Sequence, residues 1–290
     1  MHIHRRTFIQ QAGILTTGLF IGPSVISGKL PDIGLQLWTL KDDLEHDVKG
    51  TIIKIAAAGY TDLETFGGGD QFFGLSPAAF KQLLDQHRLK STSGHYYFPI
   101  HYNDNASFDT VIQGFITAAK ILGQTYIVIP ALPEELYKTA EGCKAAAARL
   151  NRAGQLCKDA GLQLAYHNHD FEFQPFGTQT GYDILLKETD AALVKMELDL
   201  YFCVSAGVDP VALFKREPER FVMWHVKDMD KNNRALNTEV GSGSIDFRRI
   251  FSYAKLAGVK RYFIEQENFS IDPYVSLKKS AQYFKRSLIR

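Results

Sequence analysis

Cysteine is scarce in this chain: Cys143, Cys157 and Cys203 are the only three in 290 residues, and no two share a metal-binding spacing. A zinc–thiolate centre is therefore excluded. Thiols in apolar, helix- or strand-like settings read instead as buried and free. An excess of one charge is also missing. The formal charge is +1, with no basic stripe interleaved with aromatics, so nucleic acid is not an expected partner. No apolar run is long enough to span a bilayer as a mature helix. A phosphate loop is lacking too. "GSGS" (241–244) has no following Lys-Ser/Thr and leads into "DFRRIFSYAKLAG", so it reads as a tight strand-to-helix loop. The 45% hydrophobic share suffices for a sizeable core, in one large domain or two small ones.

The first residues differ in kind from the rest. Arg5 and Arg6 precede a modest apolar stretch rich in Gly and Thr that ends in small residues near Ser27 and Gly28, and no acid occurs before Asp32. This is the layout of a signal peptide over residues 1–27, and "RRTFI" resembles the twin-arginine type. The expected location is outside the cytoplasmic membrane, in the periplasm. Removing residues 1–27 takes away two arginines and no acid, so the formal charge moves from +1 to −1. Nothing electrostatic then steers the protein to polyanions.

From residue 31 the chain repeats a unit of short apolar strand, polar loop and amphipathic helix. Strands are expected at 33–39, 61–66, 90–97, 125–131, 162–168, 193–200, 221–228 and 261–267. Between them, Ser76 and Pro77 mark a helix start. The phrases "AAGYTDLE", "DAGLQLAYH" and "LAGVKRYFIE" mark helix ends at a glycine that precedes a strand. Eight strands alternating with about eight helices predict an α/β fold, a single (β/α)8 TIM barrel over residues 28–290. An open doubly wound sheet would carry a Gly-rich fingerprint after its first strand, where this chain has "LWTLKDDLEHD".

Chemistry in such a barrel gathers at the C-terminal ends of the strands. Strand five ends in His167, His169 and Glu172; strand six carries Glu197 and Asp199; strand seven carries His225, Lys227 and Asp228; strand eight carries Glu265 and Glu267. Each alone reads as a rim residue. Four successive strands with ionisable groups at one end point to a bound cation, because a barrel interior is normally apolar and unpaired charge there is costly. Carboxylates with an imidazole suit one divalent ion, Mn, Co, Mg or Zn.

The pieces "YHNHDFEF", "ELDLYFCVSAGVDP", "WHVKD", "GSGSIDF" and "FIEQE", in that order, resemble the xylose isomerase-like barrels. That group includes sugar phosphate isomerases and epimerases, inosose dehydratases and an AP endonuclease branch. The resemblance implies a metal held by Glu172 (or His169 beside it), Asp199, His225 and Glu265. Epimerases place their strand-five glutamate earlier, where this chain has Ala165. They carry a histidine where Phe202 stands, and an arginine that Lys231 or Arg234 matches only approximately.

A metal holding a carbonyl and its neighbouring hydroxyl acidifies the carbon between them. Proton removal by a carboxylate then leads to epimerisation, isomerisation or elimination. The expected function is a sugar isomerase or epimerase acting through an enediolate on a small, unphosphorylated sugar or keto-sugar. The alternatives are a dehydratase or lyase on an inosose or 3-keto-glycoside, a non-catalytic sugar-binding barrel, and an endonuclease. Glu172, Glu265 and Lys227 are the expected catalytic groups, and Trp38, Glu64, His95, His167, His169 and Glu267 the expected substrate contacts. Association into a homo-oligomer stays open.

Overall fold

The computed structural model describes residues 32–97 and 104–289. The export signal expected over residues 1–27 lies outside them. Each strand segment read from the sequence holds one strand of a closed parallel barrel: β1 (Gly34–Gln36), β2 (Asp62–Gly67), β3 (Lys90–Tyr96), β4 (Tyr126–Ile129), β5 (Gln163–His167), β6 (Val194–Asp199), β7 (Met223–Val226) and β8 (Arg261–Ile264). Neighbours in sequence are neighbours in the barrel, and β1 closes the ring on β8. The principal helices are α1 (Val48–Ala58), α2 (Pro77–Gln86), α3 (Asn105–Leu122), α4 (Ala140–Asp159), α5 (Gly181–Glu188), α6 (Pro210–Arg216), α7 (Phe247–Phe251) and α8 (Pro273–Tyr283).

Local chemistry sets the helix ends. Ser76 Oγ accepts from Ala79 N at 3.3 Å with Pro77 in the first turn, and Thr180 and Asp183 form a reciprocal capping box at the start of α5. Gly59, Gly161 and Gly258, the glycines of the three recurring phrases, have φ of 98°, 79° and 85°. Such angles reverse the chain from helix to strand and are strained for any residue with a Cβ.

Strand alternation divides the apolar core in two. Leu35, Leu63, Ile127, Leu164, Tyr166, Leu198, Trp224 and Ile264 face outward into the main core against the helices. A small separate cluster of Val128, Ala165, Val222, Met223 and Phe263 plugs the barrel interior. All three cysteines are buried and free. Above the plug the inward positions are polar and buried: Gln36, Glu64, Ser93, His95, His167, Glu197, Asp199 and His225.

Closure of the ring depends on Gly34, which pairs with Phe263 across the β1–β8 seam. A Cβ there would lie 2.3 Å from the Phe263 ring and 2.6 Å from the Tyr262 carbonyl oxygen. Gly34→Ala is expected to destabilise the barrel by about 1–3 kcal/mol, the usual cost of overpacking. Urea unfolding with an unchanged slope would measure it, and an unaltered midpoint would contradict the seam as the tight point.

Candidate active site

Two layers of ionisable side chains fill the interior above the plug, because residues two apart on a strand share a face. Glu197 and Asp199 on β6 are such a pair, as are His225 and Lys227 at β7. The lower layer is Glu64, His95, Glu197 and His225, and the upper is His167, Asp199, His225 and Glu265. In each group the ligand-capable atoms lie within 4.8 Å of one another.

Hydrogen bonds close most of the lower layer. Glu64 Oε2 accepts from Gln36 Nε2 at 2.7 Å and faces His225 Nε2 at 2.6 Å and His95 Nε2 at 3.1 Å, while Oε1 accepts from Ser93 at 2.6 Å. His95 Nε2 also lies 2.8 Å from Glu197 Oε2. The His95 and His225 rings stack at 5.2 Å. Burial alone would lower His95, but Glu64 and Glu197 reverse this and raise it to about 9. Burial likewise opposes charge on His225, and Glu197, Glu265 and Glu64 together raise it well above the ordinary imidazole value.

The upper layer has lone pairs left over. His167 Nδ1 lies 2.9 Å from the Pro130 carbonyl oxygen, to which it must donate, so Nε2 carries the lone pair. That Nε2 and Asp199 Oδ2 are buried without a hydrogen-bond partner, and they face each other at 3.7 Å. Asp199 Oδ1 is occupied, accepting from Phe202 N at 2.9 Å. His225 Nδ1 lies 3.2 Å from Glu265 Oε2 and 3.9 Å from Asp199 Oδ2. Two imidazole nitrogens and two carboxylates around one gap, one of each orphaned, make a four-atom donor set suited to a divalent first-row ion. An ion there would replace the proton on His225 Nδ1. With Nε2 donating, Glu64 fixes that ring for ligation through Nδ1.

Asp199, His225 and Glu265 thus come together as expected, but Glu172 does not join them. It lies in the turn Phe171–Phe173, fully buried, with one oxygen accepting from the Tyr166 hydroxyl and the other from His169 N at 2.8 Å. Tyr166 faces the outer core, so Glu172 is drawn behind the strand, away from the barrel axis. Burial raises its carboxyl to about 7. His167, expected only as a substrate contact, takes the strand-five place in the donor set. Ala165, two residues earlier, belongs to the apolar plug.

A cavity of about 450 Å³ opens over this cluster, with Trp38, His95, His167, His169, Glu265 and Glu267 in its wall, and Phe66, Tyr97, Pro130 and Phe202 beside them. Glu64 lies beneath it as a fully bonded support, not on its wall. Lys227, expected to polarise substrate, is 1% exposed and stands behind the wall. Its Nζ lies 3.3 Å from Glu265 Oε2, bonds Glu267 Oε1, and sits 4.6 Å from the centre of the Phe202 ring. The Phe202 position, where epimerases carry histidine, therefore covers an ammonium. Burial would lower Lys227, but Glu265, Asp199 and Glu267 keep it charged. Arg234 reaches the Val204 carbonyl oxygen and is absent from the described cavity wall. The sequence reading missed Gln36 and Ser93 as site residues and noted Glu197 at the end of strand six without giving it a role; its shared face with Asp199 was the available signal.

Asp199→Asn is expected to abolish stoichiometric metal binding, and Glu64→Gln to weaken it by roughly 10–100-fold, while Glu172→Gln leaves the metal content unchanged. Elemental analysis after dialysis against one metal equivalent separates the three. Loss of metal in Glu172→Gln alone would restore the glutamate as ligand.

Comparison with known proteins gives the family and the fold. A solved sugar phosphate isomerase/epimerase from Parabacteroides distasonis ATCC 8503 superposes with a TM-score of 0.78 at 27% identity, covering 92% of this chain and 98% of that one. The IOLI protein, solved with a bound zinc atom, shares the fold with a TM-score of 0.63 at 16% identity, covering 87% of this chain and 95% of that one. An inosose dehydratase from Clostridium beijerinckii is 27% identical over 177 residues, which is 54% of this chain and 58% of that protein. The chain thus spans little more than half the length of that curated relative. Residues 52–287 match the family described as xylose isomerase-like TIM barrel, and the chain belongs to that family.

Proposed function

We propose that this protein is a metal-dependent carbon–oxygen lyase that removes a proton next to the carbonyl of an unphosphorylated keto-sugar or inosose and expels a β-oxygen substituent. The carrying observation is the one-sidedness of the cavity. Its wall carboxylates, Glu265 and Glu267, both come from the end of β8, while strand five contributes imidazole and Glu172 is turned away. Epimerisation needs proton transfer on both faces of one carbon, whereas elimination needs one base and one acid. The curated relatives named inosose dehydratase support the same reading. The isomerase/epimerase reading keeps the support of the Parabacteroides structure.

His167, Asp199, His225 and Glu265 would hold the ion, which when bound supplies Lewis-acid polarisation of the substrate carbonyl. Glu265 takes the proton. Lys227, itself held by Glu267, fixes its carboxylate, and burial, which would otherwise raise it, is outweighed by Lys227 and His225, so it is held well below the usual carboxylate range. His95, also on the cavity wall, stands as donor to the departing oxygen. No lysine or arginine lines the cavity among the described residues, and two carboxylates there oppose a phosphate.

The test is metal-loaded protein with 2-keto-myo-inositol and 3-keto-glucosides in D₂O. The expected products are unsaturated or dicarbonyl sugars with released water or alcohol, and Glu265→Gln should lower kcat by roughly 10²–10⁴-fold, more than it raises KM. An epimer formed without any eliminated product would overturn the lyase reading.

Export is part of the proposal. Sugar phosphates are cytoplasmic metabolites, so a periplasmic enzyme meets neutral sugars. Replacing Arg5 and Arg6 with lysine should retain the protein in the cytoplasm; cell fractionation showing unchanged export would count against the twin-arginine signal.

A further inference from the structure

A second cavity of about 220 Å³ adjoins the one over the cluster, walled by Leu40, Lys41, Asp43, Asn268 and Phe269. Trp38 and Glu267 line both cavities. Trp38 belongs to the turn Leu37–Leu40, in which Leu37, Thr39 and Leu40 are buried and Trp38 alone is exposed, at 39%. The turn is held firmly. Gln36 Oε1 accepts from Trp38 N at 3.0 Å, Thr39 Oγ1 accepts from Gln266 N at 3.2 Å, and the Phe66 ring meets the indole edge-on at 5.0 Å. A large apolar ring fixed in an exposed position between two cavities is a platform whose solvent-facing area a ligand would cover.

We infer that the substrate is a two-ring glycoside, with its reacting ring over the metal cluster and its second sugar ring in the adjoining cavity against Trp38. This rests on the proposed reading of the cluster as a keto-sugar site and names the substrate class for it. The second cavity's polar groups suit hydroxyls. Asp43 accepts from Tyr274 through Oδ2 at 2.5 Å, which leaves Oδ1. Asn268 Oδ1 accepts from Asn237 N at 3.0 Å, which leaves Nδ2 without a partner among the described residues. Lys41 is paired with Asp42 at 3.2 Å and Glu267 with Lys227, so Asp43 leaves the cavity's surplus charge negative. An anionic second unit is disfavoured and a neutral ring, with C–H bonds to stack and hydroxyls to bond, is favoured. A one-ring inosose would leave this cavity unused.

The test is calorimetric binding to the metal-loaded full chain of maltose, cellobiose and trehalose, each compared with methyl α- and β-D-glucopyranoside. At least one disaccharide is expected to bind roughly ten-fold tighter than either methyl glucoside, the scale of a stacked aromatic contact. Trp38→Ala should reduce that preference to less than about three-fold, and Trp38→Phe should keep most of it. Equal affinities in the wild type, a preference undiminished in Trp38→Ala, or no binding of any disaccharide would overturn the inference. Binding is read without turnover, so the two readings separate. A Trp38-dependent preference in protein that eliminates nothing rejects the lyase reading and keeps the two-ring site, and elimination with equal affinities does the reverse.

Discussion

Four carboxylates, Glu64, Glu197, Asp199 and Glu265, are buried inside a barrel whose interior is ordinarily packed with branched apolar side chains. Removing them from water is costly enough that each needs a compensating donor or cation, and the interior is organised around supplying these. Gln36, Ser93, His95 and His225 answer Glu64, and Lys227 answers Glu265. The atoms left short include Asp199 Oδ2 and His167 Nε2, which face each other where the cluster meets the cavity, and Glu197 Oε1 below them. The upper-layer deficit, with both atoms turned to one gap beside the cavity, lies where an ion can enter.

The barrel was legible in the sequence because its signals are local. Apolar strand runs, capping residues such as Ser76, and glycines such as Gly59 and Gly258 each act over a few residues. Asp199, His225 and Glu265 were legible through the family motifs "ELDLYF", "WHVKD" and "FIEQE", and strand alternation explains why the strands turn them to one side. Glu172 was not, because it lies beyond the strand in a helical turn, where no alternation carries over. Its direction is decided by Tyr166, an outward-facing residue whose hydroxyl sits in the outer core, and by the His169 amide. Sequence spacing contains neither partner. His167, by contrast, is two residues from Ala165 and so on its face. The alternation that puts Ala165 in the plug also puts His167 in the donor set.

Lys227 shows how one misplaced expectation explains another. An ammonium behind the wall, between Glu265, Glu267 and the Phe202 ring, cannot reach substrate directly. It can hold both wall carboxylates fixed in direction and keep Glu265 ionised, which a base placed beside a cation site requires. Phe202 then has a physical reason to be aromatic. Its ring shields the ammonium from the cavity and offers it a π face, where a neutral histidine would compete for the same carboxylates.

The "GSGS" loop bears on the neutral substrate proposed above. Its backbone forms an anion-binding concavity of the kind that cradles phosphate, but the anion it holds is the protein's own. Asp228 Oδ2 accepts from Gly241 N and Gly243 N, each at 2.9 Å, and Oδ1 accepts from Met229 N at 2.9 Å and Ile245 N at 3.1 Å. Gly243 has to lack a side chain, since a Cβ would meet Asp228 Oδ1 at 2.3 Å. With those amides committed to Asp228, the loop is a rigid joint between β7 and α7. Recognition at the mouth then falls to what remains on the described walls: the rings of Trp38, Phe66, Tyr97 and Phe202, the imidazoles, and two carboxylates. On the proposed reading of a neutral sugar, these groups suit C–H faces and hydroxyls, and the loop offers a phosphate no uncommitted glycine amide.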